Sequence, residues 1–151
     1  EEGNLWMEVT SGMSLNSWLG PRGDDVVAAE PLVAYLATLS TGELFAFDDA
    51  LAAHLRALDW RDVADRVFGP FRDRFFPDEF LGWRCACVAG GRGCYADALA
   101  GRSAPPVETR FEELMFAPQE GGARGHGTNP EAYPHQPVPS CQAFGNRDGW
   151  A

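Results

Sequence analysis

The sequence predicts a single all-α domain of about five helices, and three observations predict it. A capping box, Ser40-Thr41-Gly42-Glu43, opens a run in which Leu44, Phe47, Leu51, Leu55 and Leu58 recur at helical spacing. Further helix-opening signals stand at Asp59 and Pro77. Strand-like alternation is confined to Leu5, Met7 and Val9. A chain of 151 residues suits one domain, and its 45% apolar and 23% charged residues are ordinary for a globular protein.

Taken in order, residues 1–23 read as an irregular segment punctuated by Gly12, Gly20, Pro21 and Gly23, with Trp6 and Trp18 packing it on the domain. The helical domain spans 24–117. Asp24 or Asp25 caps a first helix, Pro31 falls in its first turn, and Leu32, Val33, Leu36 and Leu39 follow at helical spacing. Ser40 opens the second helix. Asp59 caps a short third one carrying Trp60, Val63, Ala64 and Val67, ended by Gly69-Pro70. Phe71, Phe75 and Phe76 crowd a loop. Pro77, with Asp78 and Glu79 in the first turn, opens a fourth helix through Phe80, Arg84 and Val88, which continues or restarts beyond Gly90-Gly91 to Leu99. Pro105-Pro106 break the chain before a fifth helix over 107–116. Residues 118–151 read as an extended Pro/Gly-rich tail, because Pro118, Pro130, Pro134, Pro137, Pro139 and the glycines of 121–127 oppose regular structure. Tyr133, Phe144 and Trp150 are its expected anchors, seated in grooves between helices.

The charge balance narrows the function classes. Twenty-two acidic against 12 basic residues give a net charge of −10. Such a surface repels nucleic acid and anionic membranes; the expected partner is another protein, a basic one being complementary. Every basic residue is Arg and there is no Lys or Ile, a bias that GC-rich codons produce, which points to a bacterial source. No apolar run approaches the roughly 18–20 residues of a membrane span, and no signal peptide stands at the start, so a cytoplasmic location is expected. The chain opens on Glu1 rather than Met, and Glu1 is not assumed to be the native terminus.

Chemistry-bearing motifs are sparse. Cys85 and Cys87 would stand about 200° apart on a helix, and with Cys94 and Cys141 they match neither a zinc ribbon nor a redox pair, so buried reduced thiols are the main expectation; a disulfide from Cys141 to the cluster is the alternative. His54 lies one residue off the apolar stripe, at a half-exposed position. His126 and His135 have no ligand partners at metal spacing. The acid pairs Asp24-Asp25, Asp48-Asp49 and Glu112-Glu113 read as caps and solvated faces. No nucleophile elbow, phosphate loop or dinucleotide fingerprint occurs, so no catalytic residue, cofactor or metal is assigned.

One pattern is more specific. Asp78, Phe80, Arg84, Gly91, Arg92 and Tyr95 form D-x-F-x3-R-x6-G-R-x2-Y, preceded by Leu39-Ser40-x2-Glu43-x3-Phe47 and followed by Phe111-Glu112-Glu113-Leu114. Over roughly 36–116 the chain resembles the bacterial domain-of-unknown-function family 4240. The resemblance implies an all-helical domain with a patterned Arg helix and no established activity. Two features depart from it: Leu5-Trp6 lies in a strand-like stretch where members open with a Phe-Trp helix, and the tail after Gly121 has no counterpart.

Within that pattern, Phe80, Arg84, Val88, Gly91 and Tyr95 share one stripe, so Arg84 points into an apolar face and needs acceptors there. Two readings stay open. Glu112, Glu113, Asp78 or a helix C-terminus satisfies Arg84 as an internal pin, or Arg84 and Arg92, with Tyr95, line a cleft that takes a carboxylate or phosphate. The first accords with a protein-interaction module, an acidic adaptor, accessory or immunity-type protein. The second accords with a small enzyme or ligand-binding domain using an Arg pair as an anion clamp.

Overall fold

The computed structural model describes residues 25–71, 73, 77–137 and 140–151. Among these residues there are seven α-helices, two 3-10 turns and no strand. The helices are α1 (Asp25–Leu36), α2 (Thr41–Ala57), α3 (Arg61–Phe68), α4 (Asp78–Ala89), α5 (Arg92–Ala100), α6 (Glu113–His126) and α7 (Arg147–Trp150). The fold is all-α as expected, with seven helices among the described residues rather than about five. Asp24, Trp6, Trp18, Phe75 and Phe76 lie outside the described residues.

The second helix forms where the capping box places it. Ser40 is extended, its Oγ accepts from the Glu43 amide at 3.2 Å, and its own amide donates to the Glu43 carboxylate at 3.3 Å. Leu44, Phe47, Leu51, Leu55 and Leu58 are all buried. Behind this stripe runs α4, in which every residue from Phe80 to Ala89 is buried. A short helix apolar on all faces is the centre of its domain rather than a surface element. Gly91, at φ 96°, turns the chain sharply between α4 and α5, so the fourth helix restarts rather than continues.

Three expectations are corrected here. Pro31 sits inside α1, not in its first turn. The hydrogen bond it removes would have used the Val27 carbonyl; Val27 is 72% exposed, so water can satisfy that group. The helix expected over 107–116 starts only at Glu113. The preceding strand of chain crosses α4 instead, where the Phe111 amide donates to the Gly82 carbonyl at 3.1 Å and the Trp83 indole to the Pro105 carbonyl at 3.1 Å. A methyl group at Gly82 would lie 2.6 Å from Glu112 Oε1, so glycine is what admits the crossing. Finally, residues 118–126 are helical rather than extended: α6 runs through Pro118 to His126 and ends at Gly127, φ 66°. Packing overrides the weak propensity. Gly121 and Gly125, one turn apart, face α1, where a methyl group at Gly121 would come within 2.7 Å of Leu36 Cβ and one at Gly125 would run into the Ala37 carbonyl. The small faces let α1 and α6 approach closely.

Ser40→Ala is expected to cost about 0.5–2 kcal/mol in chemical denaturation, the usual cost of a lost N-cap. Gly125→Ala is expected to lower stability by roughly 1–3 kcal/mol through overpacking, although alanine is the better helix former by about 1 kcal/mol. A rise in the unfolding midpoint of Gly125→Ala would contradict the close helix contact.

Candidate functional site

The patterned residues of α4 and α5 converge on one place, the C-terminal end of α2. A helix leaves its last carbonyls without intrahelical partners. Here three side chains meet them. Tyr95 Oη donates to the His54 carbonyl at 3.1 Å, Arg84 Nη1 to the Leu55 carbonyl at 2.9 Å, and Asn146 Nδ2 to the Arg56 carbonyl at 3.5 Å. The Arg84 charge also suits the negative end of the helix dipole. Its guanidinium lies over the Phe80 ring, 4.7 Å from the centroid. Phe80, Arg84 and Tyr95, four and eleven residues apart, are thereby one device: the ring supports the guanidinium, and the turn at Gly91 returns Tyr95 to the same helix end.

Arg84 is fully enclosed, and burial lowers its pKa, opposed chiefly by the charge of Asp59. A guanidinium nevertheless stays protonated. Asp59 is also without solvent exposure. It does not cap α3, whose N-cap is Trp60 without a side-chain bond. Its carboxylate accepts instead from three groups of the C-terminal segment: the amide of Phe144 at 3.0 Å, the amide of Asn146 at 2.9 Å and the Trp150 indole at 2.8 Å. Arg56 and Arg61 donate to the carbonyls of Gly145 and Trp150 from either side. The Trp150 ring stands edge-on to Phe80, centroids 6.1 Å apart. Arg84 Nε and Nη2 have no hydrogen-bond partner among the described residues.

A second cluster ties down the segment before it. Tyr133 Oη donates to Asp48 at 2.9 Å, His135 Nε2 lies 2.8 Å from Asp49 Oδ1, and Phe45 stacks on the His135 ring at 4.4 Å with Tyr133 edge-on to it. Desolvation raises the Asp48 pKa, partly offset by the Tyr133 hydrogen bond. Burial beside Asp48 pushes the Tyr133 phenol up as well. Asp48-Asp49 is therefore a tail-holding pair, not a solvated face, and His54 is buried, its Nδ1 2.7 Å from the Ala50 carbonyl, rather than half-exposed.

The remaining expected residues lie elsewhere. Arg92 is exposed in the first turn of α5, and Asp78 is exposed in the first turn of α4. Glu112 is exposed above Gly82, and Glu113 opens α6, half-buried. None of these acids is the acceptor for Arg84; a helix C-terminus is. Of the three aromatic anchors, Tyr133 and Trp150 are half-buried, whereas Phe144 is 43% exposed, stands against the Trp150 ring at 4.6 Å and is attached through its backbone amide. One cleft among the described residues, of about 450 Å3, is lined by Arg66, Val67, Gly101, Ser103 and Val107; another, of about 210 Å3, by Phe45, Gly122, His126, Asn129 and Tyr133. Neither contains Arg84 or Arg92. All four cysteines are free, and burial pushes the thiols of Cys85, Cys87, Cys94 and Cys141 up, keeping them protonated and poorly nucleophilic. No cluster of metal-ligating side chains exists among the described residues.

The family model described as protein of unknown function (DUF4240) matches residues 13–117. The chain belongs to this family. No curated protein and no solved structure matches it. The match reaches further towards the N-terminus than the resemblance read from the motifs, and it holds Asp59, Arg84 and Tyr95 together. The segment that Asp59 binds lies beyond its end. Asp59, Asp48, Asp49 and His135 are the site residues that sequence reasoning misses. Their partners stand 85–91 residues away in sequence, and no local spacing encodes such pairings.

A pH dependence follows from Asp48. Its folded pKa lies above the ordinary 3.8. The folded state therefore binds the proton more tightly, and this carboxyl destabilises the fold progressively as pH rises from about the ordinary value through the raised one. Asp48→Asn keeps an acceptor for Tyr133 and removes the titration. Relative to wild type, its unfolding midpoint is expected to rise between pH 4 and pH 7, measured by thermal melts across the series. A difference that stays constant over that interval would contradict the burial of an ionised Asp48.

Proposed function

We propose that this protein is an interaction module, an acidic adaptor or accessory protein that acts by binding another protein. The observation that carries the reading is the divergence of the two patterned arginines. Arg84 is enclosed and caps α2, while Arg92 faces solvent on a different helix. An anion clamp built from both would need them in one cleft. The family pattern accordingly serves the architecture of the helical core, which leaves recognition to the surface.

That surface carries a net charge of −10 and a set of large apolar residues open to solvent. Trp60, at 44% exposure, and Phe144, at 43%, flank Trp150 at the tail junction, with Arg56 and Arg61 beside them. Aromatic and Arg side chains are the residue types that dominate binding energy at protein interfaces. The acidic remainder of the surface favours a partner of opposite charge through faster encounter. No described helix is long and apolar enough to cross a membrane, which accords with a cytoplasmic setting.

The test is capture of partners from the source cells by the wild-type chain and by a Trp60→Ala, Phe144→Ala double variant, followed by titration of the purified partner. The expected result is a stoichiometric complex weakened at least about tenfold in the double variant, the loss of one or two hot-spot residues, with little change in the unfolding midpoint. A chain that retains no protein, but whose 450 Å3 or 210 Å3 cleft binds a small metabolite, would overturn the proposal in favour of a ligand-binding domain.

A further inference from the structure

The junction between the helical core and the tail is incomplete in one respect. Arg84 is fully enclosed, yet among the described residues only Nη1 has an acceptor; Nε and Nη2 have none. These two atoms form the edge of a guanidinium that receives a carboxylate in bidentate fashion. The acid whose charge bears most on Arg84 is Asp59, likewise without solvent exposure. It lies two residues beyond the end of α2, and the Trp150 indole it binds stands edge-on to Phe80, the ring that supports the Arg84 guanidinium. Yet Asp59 gives both of its oxygens to the tail. One carboxylate thus stands between two sets of donors and serves only one.

The tail side of this choice is under strain. Phe144 is the only non-glycine described residue at positive φ, 68°, and its side chain is 43% exposed. A left-handed conformation is disfavoured for a bulky residue. The core side of the choice lies wholly inside the family match, residues 13–117, while residues 140–151 lie outside it.

We propose that residues 140–151 form a releasable latch, and that Asp59 is its two-position element: it either holds the Phe144 and Asn146 amides and the Trp150 indole, or turns to the free Nε/Nη2 edge of Arg84 and pairs with it bidentately. In each position Asp59 serves one set of donors only. With the tail docked, Arg84 keeps two unmet donor atoms in the interior; with the tail released, the freed amides and indole are hydrated and the buried charges satisfy each other. An interior with two discrete hydrogen-bond arrangements of similar free energy is what a switch requires. The latch also regulates the binding face, a consequence that rests on the interaction reading above: undocking removes Trp150 from the edge of Phe80 and uncovers Trp60, which packs against Gly149 in the docked state.

The 151-residue chain tests this without any partner, so the outcome does not depend on the interaction reading. Asn146→Pro removes one amide donor to Asp59, and Trp150→Phe removes the indole donor while keeping a ring for Phe80. In the double variant the amides of 141–151 are expected to lose protection in hydrogen exchange while those of α4 keep theirs. The Arg84 Nε–H resonance is expected to move downfield as it gains a carboxylate acceptor, and Asp59→Asn in the same background is expected to reverse that shift. Trp150→Phe alone is expected to give an intermediate shift. A double variant that no longer folds would overturn the proposal, because the Asp59–Arg84 pair then fails to sustain the core. So would a released tail with an unmoved Arg84 resonance, or a tail that stays fully protected after losing two of its three donors to Asp59.

Discussion

The structure depends on a single carboxylate with no access to water. Asp59 follows directly on the end of α2, and an ionised group in that position is tolerable only with several donors around it. Three come from the last residues of the chain, and the Arg84 charge stands within reach. The C-terminal segment is for this reason part of the fold rather than an appendage. Arg84 and Tyr95 belong to the same arrangement, since they close the last carbonyls of the helix that leads into Asp59. Removing Arg84 or Tyr95 leaves a carbonyl unmet in the interior, where such groups cost several times what a surface pair contributes.

This arrangement gives the family pattern a physical meaning. A ring at Phe80, a guanidinium one turn later at Arg84, a glycine at Gly91 able to take φ 96° and a phenol at Tyr95 are four requirements of one helix terminus. Arg92, three residues before the end of the same pattern, is not among them and faces solvent. The motif is thus mostly architectural, and the chemistry of the protein is sought on its outer faces and at the tail junction.

What the sequence reveals follows the range of the interactions involved. The second helix is legible because its capping box and apolar stripe are encoded within 19 residues, from Ser40 to Leu58. The inward aim of Arg84 is legible for the same reason, from helical periodicity alone. The last turns of α6 are not, because Gly121 and Gly125 oppose a helix locally and favour it only where α1 packs against their bare backbone. Asp59 reads as an N-cap for want of any view of the tail, and the Asp48-Asp49 pair reads as solvated until Tyr133 and His135 are brought to it. The aromatic residues of the tail are legible as anchors by their cost in water, but the attachment of Phe144 is through its amide, which no composition argument reveals.

Hydrogen exchange at two amides tests the central claim most directly. If Asp59 holds the C-terminal segment, the amides of Phe144 and Asn146 exchange together, with protection of at least about a hundredfold over unstructured chain. In Asp59→Asn both lose that protection, while the amides of α4 retain theirs. Rapid exchange of these two amides in the wild-type protein, or protection that survives the loss of the Asp59 charge, would contradict the account.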